Sequence, residues 1–138
     1  MTLRFSRALA IVVGIITLLA EVARRRQQLL DPATVLLWTD DLLLGGFLLY
    51  AAWRVGTEEH SGRPVLAAAW GFMTGMSYYG LFEQLHRLAG SDPSAAAPSW
   101  VIALKVVLLV LGIAGMVAAI RGLARPGGGP TVPASGRQ

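Results

Sequence analysis

Four long apolar segments make up most of this 138-residue chain and restrict the folds that it can adopt. The segments cover residues 8–23, 33–54, 64–88 and 99–121. Their lengths approach or exceed the ~20 residues that a helix needs to cross the hydrocarbon core of a bilayer. Strands would show an alternation of apolar and polar residues, which these segments lack. The sequence therefore predicts an all-α fold, an integral membrane four-helix bundle with short loops formed by residues 1–124.

The charge content supports the same class of protein. Only 14% of the residues are charged, whereas a soluble domain carries about 25%. The net charge of +4 comes from arginines that flank the apolar segments, and Lys105 is the only lysine. Because the sequence has no clustered basic face or nucleic-acid-binding motif, we expect the lipid bilayer, and not nucleic acid, as a partner. The absence of cysteine excludes disulfides and thiolate metal sites.

The first segment is the shortest, and a cleaved signal peptide is the alternative to a retained helix. A cut after Ala23 would place Glu21 where a small residue is needed, and the arginines at 24–26 would oppose export. We therefore expect a retained helix. At the other end of the chain, the Gly- and Pro-rich residues 125–138 predict a disordered cytoplasmic tail.

Arginine counts on the two sides of the segments predict their orientation. One side carries seven arginines, which are Arg4, Arg7, Arg54, Arg63, Arg121, Arg125 and Arg137. The other side carries four, which are Arg24, Arg25, Arg26 and Arg87. Because cytoplasmic loops carry an excess of positive charge, both termini are predicted to be cytoplasmic, in a bacterial-type plasma membrane.

Six ionisable side chains lie inside the apolar segments, where each charge costs about 2.5–3.5 kcal/mol on insertion scales. They are Glu21, Asp40, Asp41, Glu83, His86 and Lys105. Since consecutive helices run in opposite directions, the end of one segment and the start of the next share a depth. The six residues are therefore predicted to lie in one layer near the outer face.

Helical spacing predicts that this layer lies between the helices and not against lipid. Small residues, which mark close approach of membrane helices, recur every three or four positions in line with the charged ones. The stripes are Ala10, Gly14, Thr17 and Glu21; Gly45 and Ala52 with Asp41; Ala67, Gly71, Gly75, Tyr79 and Glu83; and Lys105, Leu108, Gly112, Gly115 and Ala119. The Gly71/Gly75 and Gly112/Gly115 faces also predict contacts in a homo-oligomer, or in a larger membrane complex.

The layer contains more acids than bases. Four carboxylates face Lys105 and at most one histidinium, so either some carboxylates hold protons or a cation joins them. The sequence thus predicts a transporter or complex subunit that binds a cation or relays protons. Asp40, Asp41, Glu83, His86 and Glu21 are the predicted ligands, with Lys105 as counter-charge and Tyr79 hydrogen-bonded to the group.

Two alternatives use the same residues. Glu83-x-x-His86 resembles half of the di-iron carboxylate arrangement, so a divalent metal held by Glu83, His86 and Asp41 would make the protein a metal-dependent membrane enzyme. The chain has one such pair, and a homodimer would supply two. The other alternative is a non-catalytic assembly subunit in which the polar network is structural.

The tryptophans have a simpler interpretation. Trp38, Trp53, Trp70 and Trp100 lie near segment ends. This position is typical of the aromatic belts at membrane–water interfaces, where we expect all of them.

Overall fold

A computed structural model of the protein describes residues 2–25, 35–89 and 99–121. These residues form four α-helices: α1 (Leu3–Arg25), α2 (Val35–Thr57), α3 (Glu59–Ala89) and α4 (Ser99–Arg121). No strand occurs in the described ranges, so the all-α prediction is confirmed for them. The predicted tail, 125–138, and residues 90–98, which connect the third and fourth apolar segments, lie outside the described residues.

Helix α1 begins at Leu3, earlier than the apolar pattern indicates. Thr2 caps it, since the backbone N–H of Ser6 donates to the Thr2 carbonyl at 3.1 Å and that of Phe5 to the Thr2 hydroxyl at 3.4 Å. A threonine that accepts from the first turn of a helix stabilises that end. The arginines at 4 and 7 are therefore part of the helix.

The junction between α2 and α3 is shorter than the sequence predicts. Polarity at 55–63 indicates a turn, yet only Glu58 separates the two helices. Backbone bonds of 2.9 Å join Glu58 to Arg54 and Gly62 to Glu58, and the Arg54 guanidinium donates to Ser61 at 3.1 Å. Pro64, the first residue of the third apolar segment, consequently lies in the second turn of α3 and not at its start.

The helices pack as a ring in which each contacts its neighbours along the chain and α1 also contacts α4. The apolar core occupies the half of this ring that contains the start of α1 and the end of α4. Its fully buried side chains include Ala10, Leu48, Leu66, Trp70 and Met73. The other half of the ring contains the polar residues discussed below.

Glycines allow two close helix crossings. A Cβ on Gly14 would lie 3.0 Å from the carbonyl oxygen of Gly45, so α1 and α2 meet almost backbone to backbone. Gly115 of α4 lies against the indole ring of Trp70, and a Cβ on Gly112 would lie 2.6 Å from the Thr74 hydroxyl. The predicted Gly112/Gly115 face therefore packs against α3 of the same chain and is not open to a second copy.

The Gly71/Gly75 face is more open. A Cβ on Gly75 would meet nothing within 4 Å, and one on Gly71 would meet only the Met116 sulfur, at 3.9 Å. Contact with a second copy through this face stays a prediction.

A buried hydrogen-bonded group joins three helices near the termini. The indole N–H of Trp70 donates to the Ser6 hydroxyl at 2.9 Å, and that hydroxyl donates to the Gly115 carbonyl at 2.9 Å. Both side chains are 0% exposed. The prediction that Trp70 belongs to an interfacial belt is therefore wrong, because its N–H is satisfied by a serine and not by water. Trp53 and Trp100 are exposed, and the Trp38 side chain lies outside the described set.

Two of the described helices have the length and hydropathy to cross a membrane. They are Leu3–Ala23, with mean hydropathy 2.0, and Ser99–Arg121, with mean hydropathy 2.7. Apolar core helices of soluble proteins and signal sequences can reach similar values.

Candidate functional site

A cavity of about 280 Å³ lies between the helices next to the apolar core, which contributes Leu44 and Met73 to its wall. Each helix contributes a polar group to its lining: Thr17 from α1, Asp41 from α2, Ser77 and Tyr79 from α3, and Lys105 from α4. Leucines, methionines and a glycine complete the wall; they are Leu44, Met73, Met76, Gly80 and Leu108. Residues that bear a carboxylate, an ammonium and three hydroxyl groups thus line one small space.

The ammonium of Lys105 is held by the backbone of α3. Its Nζ atom donates to the Gly80 carbonyl oxygen at 2.8 Å. Gly80 permits this approach, since a Cβ there would lie 2.9 Å from Nζ. A lysine ammonium has three N–H donors. The bond to Gly80 uses one of them and fixes the head group at the cavity wall.

The two neighbouring aspartates occupy different environments. Asp41 is half-buried and lines the cavity, whereas Asp40 is exposed. Adjacent residues on a helix point in directions about 100° apart, so only one of the two can face the same space. The structure therefore brings Asp41, but not Asp40, together with Lys105.

Glu21 lies one turn beyond Thr17 on α1 and is only 5% exposed. Its position at i+4 from Thr17 places it on the same face of α1. It is not among the residues that line the cavity. Glu21 is thus buried, as its place in the small-residue stripe of α1 predicts, but it lies outside the cavity lining.

Glu83 and His86 lie away from the cavity, towards the end of α3. The Arg87 guanidinium donates to Glu83 at 2.5 Å, and these two side chains are 50% and 40% exposed, respectively. His86 is exposed. The Glu83 carboxylate therefore has its partner one turn along the same helix, in an i,i+4 ion pair at the helix surface. Of the five predicted proton or cation ligands, the structure places only Asp41 in the cavity.

The predicted metal set is not assembled within one chain. Glu83 pairs with Arg87, His86 is exposed, and Asp41 faces the cavity. Across the three described ranges, no group of three or more His, Cys, Asp or Glu side chains is arranged to hold a metal ion. A metal site formed by two copies stays a prediction.

Sequence reasoning missed Ser77 and Gly80. A count of charged side chains does not detect Gly80, because its contribution is a carbonyl oxygen. One signal was available: Gly80 is the residue after Tyr79, which was predicted to contact the polar group and does line the cavity. A glycine beside such a residue indicates a place where another side chain can approach the backbone.

No protein-family model, no curated protein sequence and no solved structure matches this chain.

Proposed function

We propose that the protein is a small integral membrane protein whose four helices form a membrane-spanning bundle. Support comes from the low burial of α1 and α4, the two described helices that are long and apolar enough to cross a membrane. Only 28% of the apolar window in α1 and 17% of that in α4 are buried inside the protein. The core helix of a soluble protein would be mostly buried, whereas a helix that faces lipid exposes its apolar side chains. Large exposed apolar side chains include Ile16, Leu19, Val107, Val110 and Ile113.

The polar ends of the helices support the same proposal. Trp53 and Trp100 are exposed near helix ends, which suits an aromatic belt. Arg54 and Arg63 lie at the end of the ring that also carries Arg4, Arg7 and Arg121. On the positive-inside rule this end, with both termini, faces the cytoplasm.

Within this bundle we propose that Asp41 exchanges protons with its surroundings through the polar cavity. The observation that carries the proposal is that Asp41 of α2 and Lys105 of α4 line one cavity between the helices. The hydroxyl-bearing residues Thr17, Ser77 and Tyr79 line the same cavity, and hydroxyl groups can donate to or accept from water there. A carboxylate in these surroundings can alternate between its two protonation states.

A proton suits this cavity better than a metal ion. Asp41 is the one carboxylate among the described residues that line the cavity, whereas a metal ion takes several oxygen or nitrogen ligands. A proton brings no ligand shell and needs one acceptor. The protein would then act as an oligomeric transporter or as a subunit of a larger membrane complex.

The apolar core limits how far a proton can travel from the cavity. Leu48 and Trp70, which lie nearer the end that carries the helix starts Leu3 and Glu59, are fully buried, as is Met73 in the cavity wall. Transfer across the whole bilayer therefore requires a second conformation or a partner subunit, whereas proton uptake into the cavity requires neither.

The test is proton uptake by the purified protein in liposomes that enclose a pH-sensitive dye. After an external acid pulse, wild-type liposomes should acidify faster than empty ones, and Asp41→Asn should remove most of the difference. Asp40→Asn is the matched control, because it makes the same chemical change one residue away, outside the cavity. The proposal fails if Asp41→Asn and Asp40→Asn behave alike.

A structural role is the second candidate function. The hydrogen bond from Lys105 to Gly80 favours it, since that bond joins α3 to α4 whatever else the cavity does. A non-catalytic assembly subunit would keep partner binding after apolar replacement of Asp41 and Lys105. It would also show no proton uptake above that of empty liposomes.

A further inference from the structure

The polar cavity carries both signs of charge on a wall with several hydroxyls. Asp41 presents a carboxylate, and Lys105 presents an ammonium fixed by Gly80. A simple cation would be attracted by the first and repelled by the second, and a simple anion the reverse. A molecule that carries both charges can place its ammonium group against Asp41, whose carboxylate has several acceptor sites, and its anionic group against Lys105.

The size of the cavity limits the ligand. Pockets for drug-sized ligands measure about 300–1,000 Å³, and the volume here is about 280 Å³. The occupant is therefore a small molecule or the small polar part of a larger one.

The cavity also reaches the protein surface. Tyr79 lines the cavity and yet is 69% exposed, so its ring lies at an opening. Tyr78 and Phe82, whose rings are tilted by 37° with centroids 4.4 Å apart, are exposed on the same helix beside it. Aromatic rings at such a position suit the boundary between apolar and polar surroundings.

We propose that this cavity binds a small zwitterion, a molecule with an ammonium group at Asp41 and an anionic oxygen group at Lys105. The inference rests on the proposed function in placing the ligand in the same cavity, and it adds the class of solute. The bond to Gly80 uses one Lys105 donor, and an anionic oxygen can accept from another. Tyr79 lines the same cavity, and its hydroxyl group is a further donor and acceptor on the side chains around the ligand.

Two sources can supply this chemistry, a free amino acid and the headgroup of a zwitterionic lipid. Calorimetric titration of the purified protein distinguishes them with two probes, β-alanine and glycerophosphoethanolamine. Propionate and propylammonium serve as probes with one charge each. We expect at least one zwitterion to bind at least about tenfold more tightly than either single-charge probe. Preference for β-alanine indicates a free solute, and preference for the other zwitterion indicates a lipid headgroup.

Variants locate the binding site. Asp41→Asn and Lys105→Met should each weaken zwitterion binding about 10- to 100-fold, the loss expected for one charge-assisted hydrogen bond. Asp40→Asn should bind as the wild type does. The comparison of probes on the wild-type protein keeps the test decisive even if a variant fails to fold.

The inference is overturned if neither zwitterion binds the wild type more tightly than the single-charge probes. It is also overturned if folded Asp41→Asn and Lys105→Met proteins bind the zwitterion normally. These results are separable from proton uptake in liposomes. Proton uptake that depends on Asp41, without zwitterion binding, would reject the inference and keep the proposed function. Zwitterion binding that depends on Asp41 and Lys105, without proton uptake, would keep the inference and reject the proposed function.

Discussion

The ammonium of Lys105 on α4 donates a hydrogen bond of 2.8 Å to the carbonyl oxygen of Gly80 on α3. This single contact links the last third of one helix to the first third of the next at the wall of the polar cavity. It also explains why residue 80 is a glycine, since a Cβ there would lie 2.9 Å from the ammonium nitrogen.

The first prediction concerns this contact. Gly80→Ala should displace the ammonium and lose a charged hydrogen bond, worth about 1.5–3 kcal/mol, while it gains about 1 kcal/mol of helix propensity. We expect a net loss of roughly 1 kcal/mol in the free energy of unfolding, measured by denaturant titration in detergent micelles. Gly75→Ala is the control on the same helix, because its Cβ meets nothing within 4 Å and should leave the protein unchanged or more stable. Equal effects of the two substitutions would contradict the prediction.

The second prediction concerns two adjacent glycines of α2 where this helix crosses α1. A Cβ on Gly45 would lie 2.7 Å from the Leu18 side chain and 3.1 Å from the Gly14 carbonyl oxygen, whereas one on Gly46 would meet nothing within 4 Å. Gly45→Ala should therefore destabilise the protein by about 1–3 kcal/mol through overpacking. Gly46→Ala should be neutral or slightly stabilising in the same unfolding experiment. A harmless Gly45→Ala would show that the helices are further apart than described.

The buried bond between Ser6 and Trp70 gives a third prediction. Ser6→Ala leaves the buried indole N–H without its acceptor, which should cost about 1–3 kcal/mol of unfolding free energy. Trp70→Phe removes the indole donor, so in the double variant no buried N–H is left without an acceptor. The double variant should therefore lose less unfolding free energy than the two single variants added together, by about 0.5–3 kcal/mol. Additive losses would mean that the two side chains do not interact.

Metal removal gives a fourth prediction. Because the described residues hold no group of three suitable ligands, a chelator should leave the thermal unfolding midpoint of the monomer unchanged. Elemental analysis of the purified protein should find no stoichiometric iron, zinc or manganese. Stoichiometric metal that is lost in Glu83→Gln or His86→Gln would instead support a site shared between two copies.

Much of the fold could be predicted from the sequence, because apolar length and periodicity determine helices. The meeting of Asp41 with Lys105 also follows from helix direction and depth. Glu83 was misplaced because depth alone does not fix the direction of a side chain, and Arg87 one turn away attracts it at the surface. Residues 55–63 were misassigned because their polarity suits a turn, while local hydrogen bonds at Glu58 and Gly62 continue the helices.

The environment of Trp70 could not be predicted for a different reason. Its hydrogen-bond partner, Ser6, lies 64 residues away along the chain. Nothing in the local sequence distinguishes a tryptophan that faces a membrane interface from one that donates to a distant serine. Only the packing of α1 against α3 and α4 decides between the two.

The most direct test of the account is to observe protonation of Asp41 itself, by infrared spectroscopy of the protein in lipid as the pH is changed. We predict a carboxylic acid band that appears and disappears reversibly, is absent in Asp41→Asn and persists in Asp40→Asn. A titrating band that is the same in all three proteins would contradict the claim that Asp41 is the proton-exchanging group of the cavity.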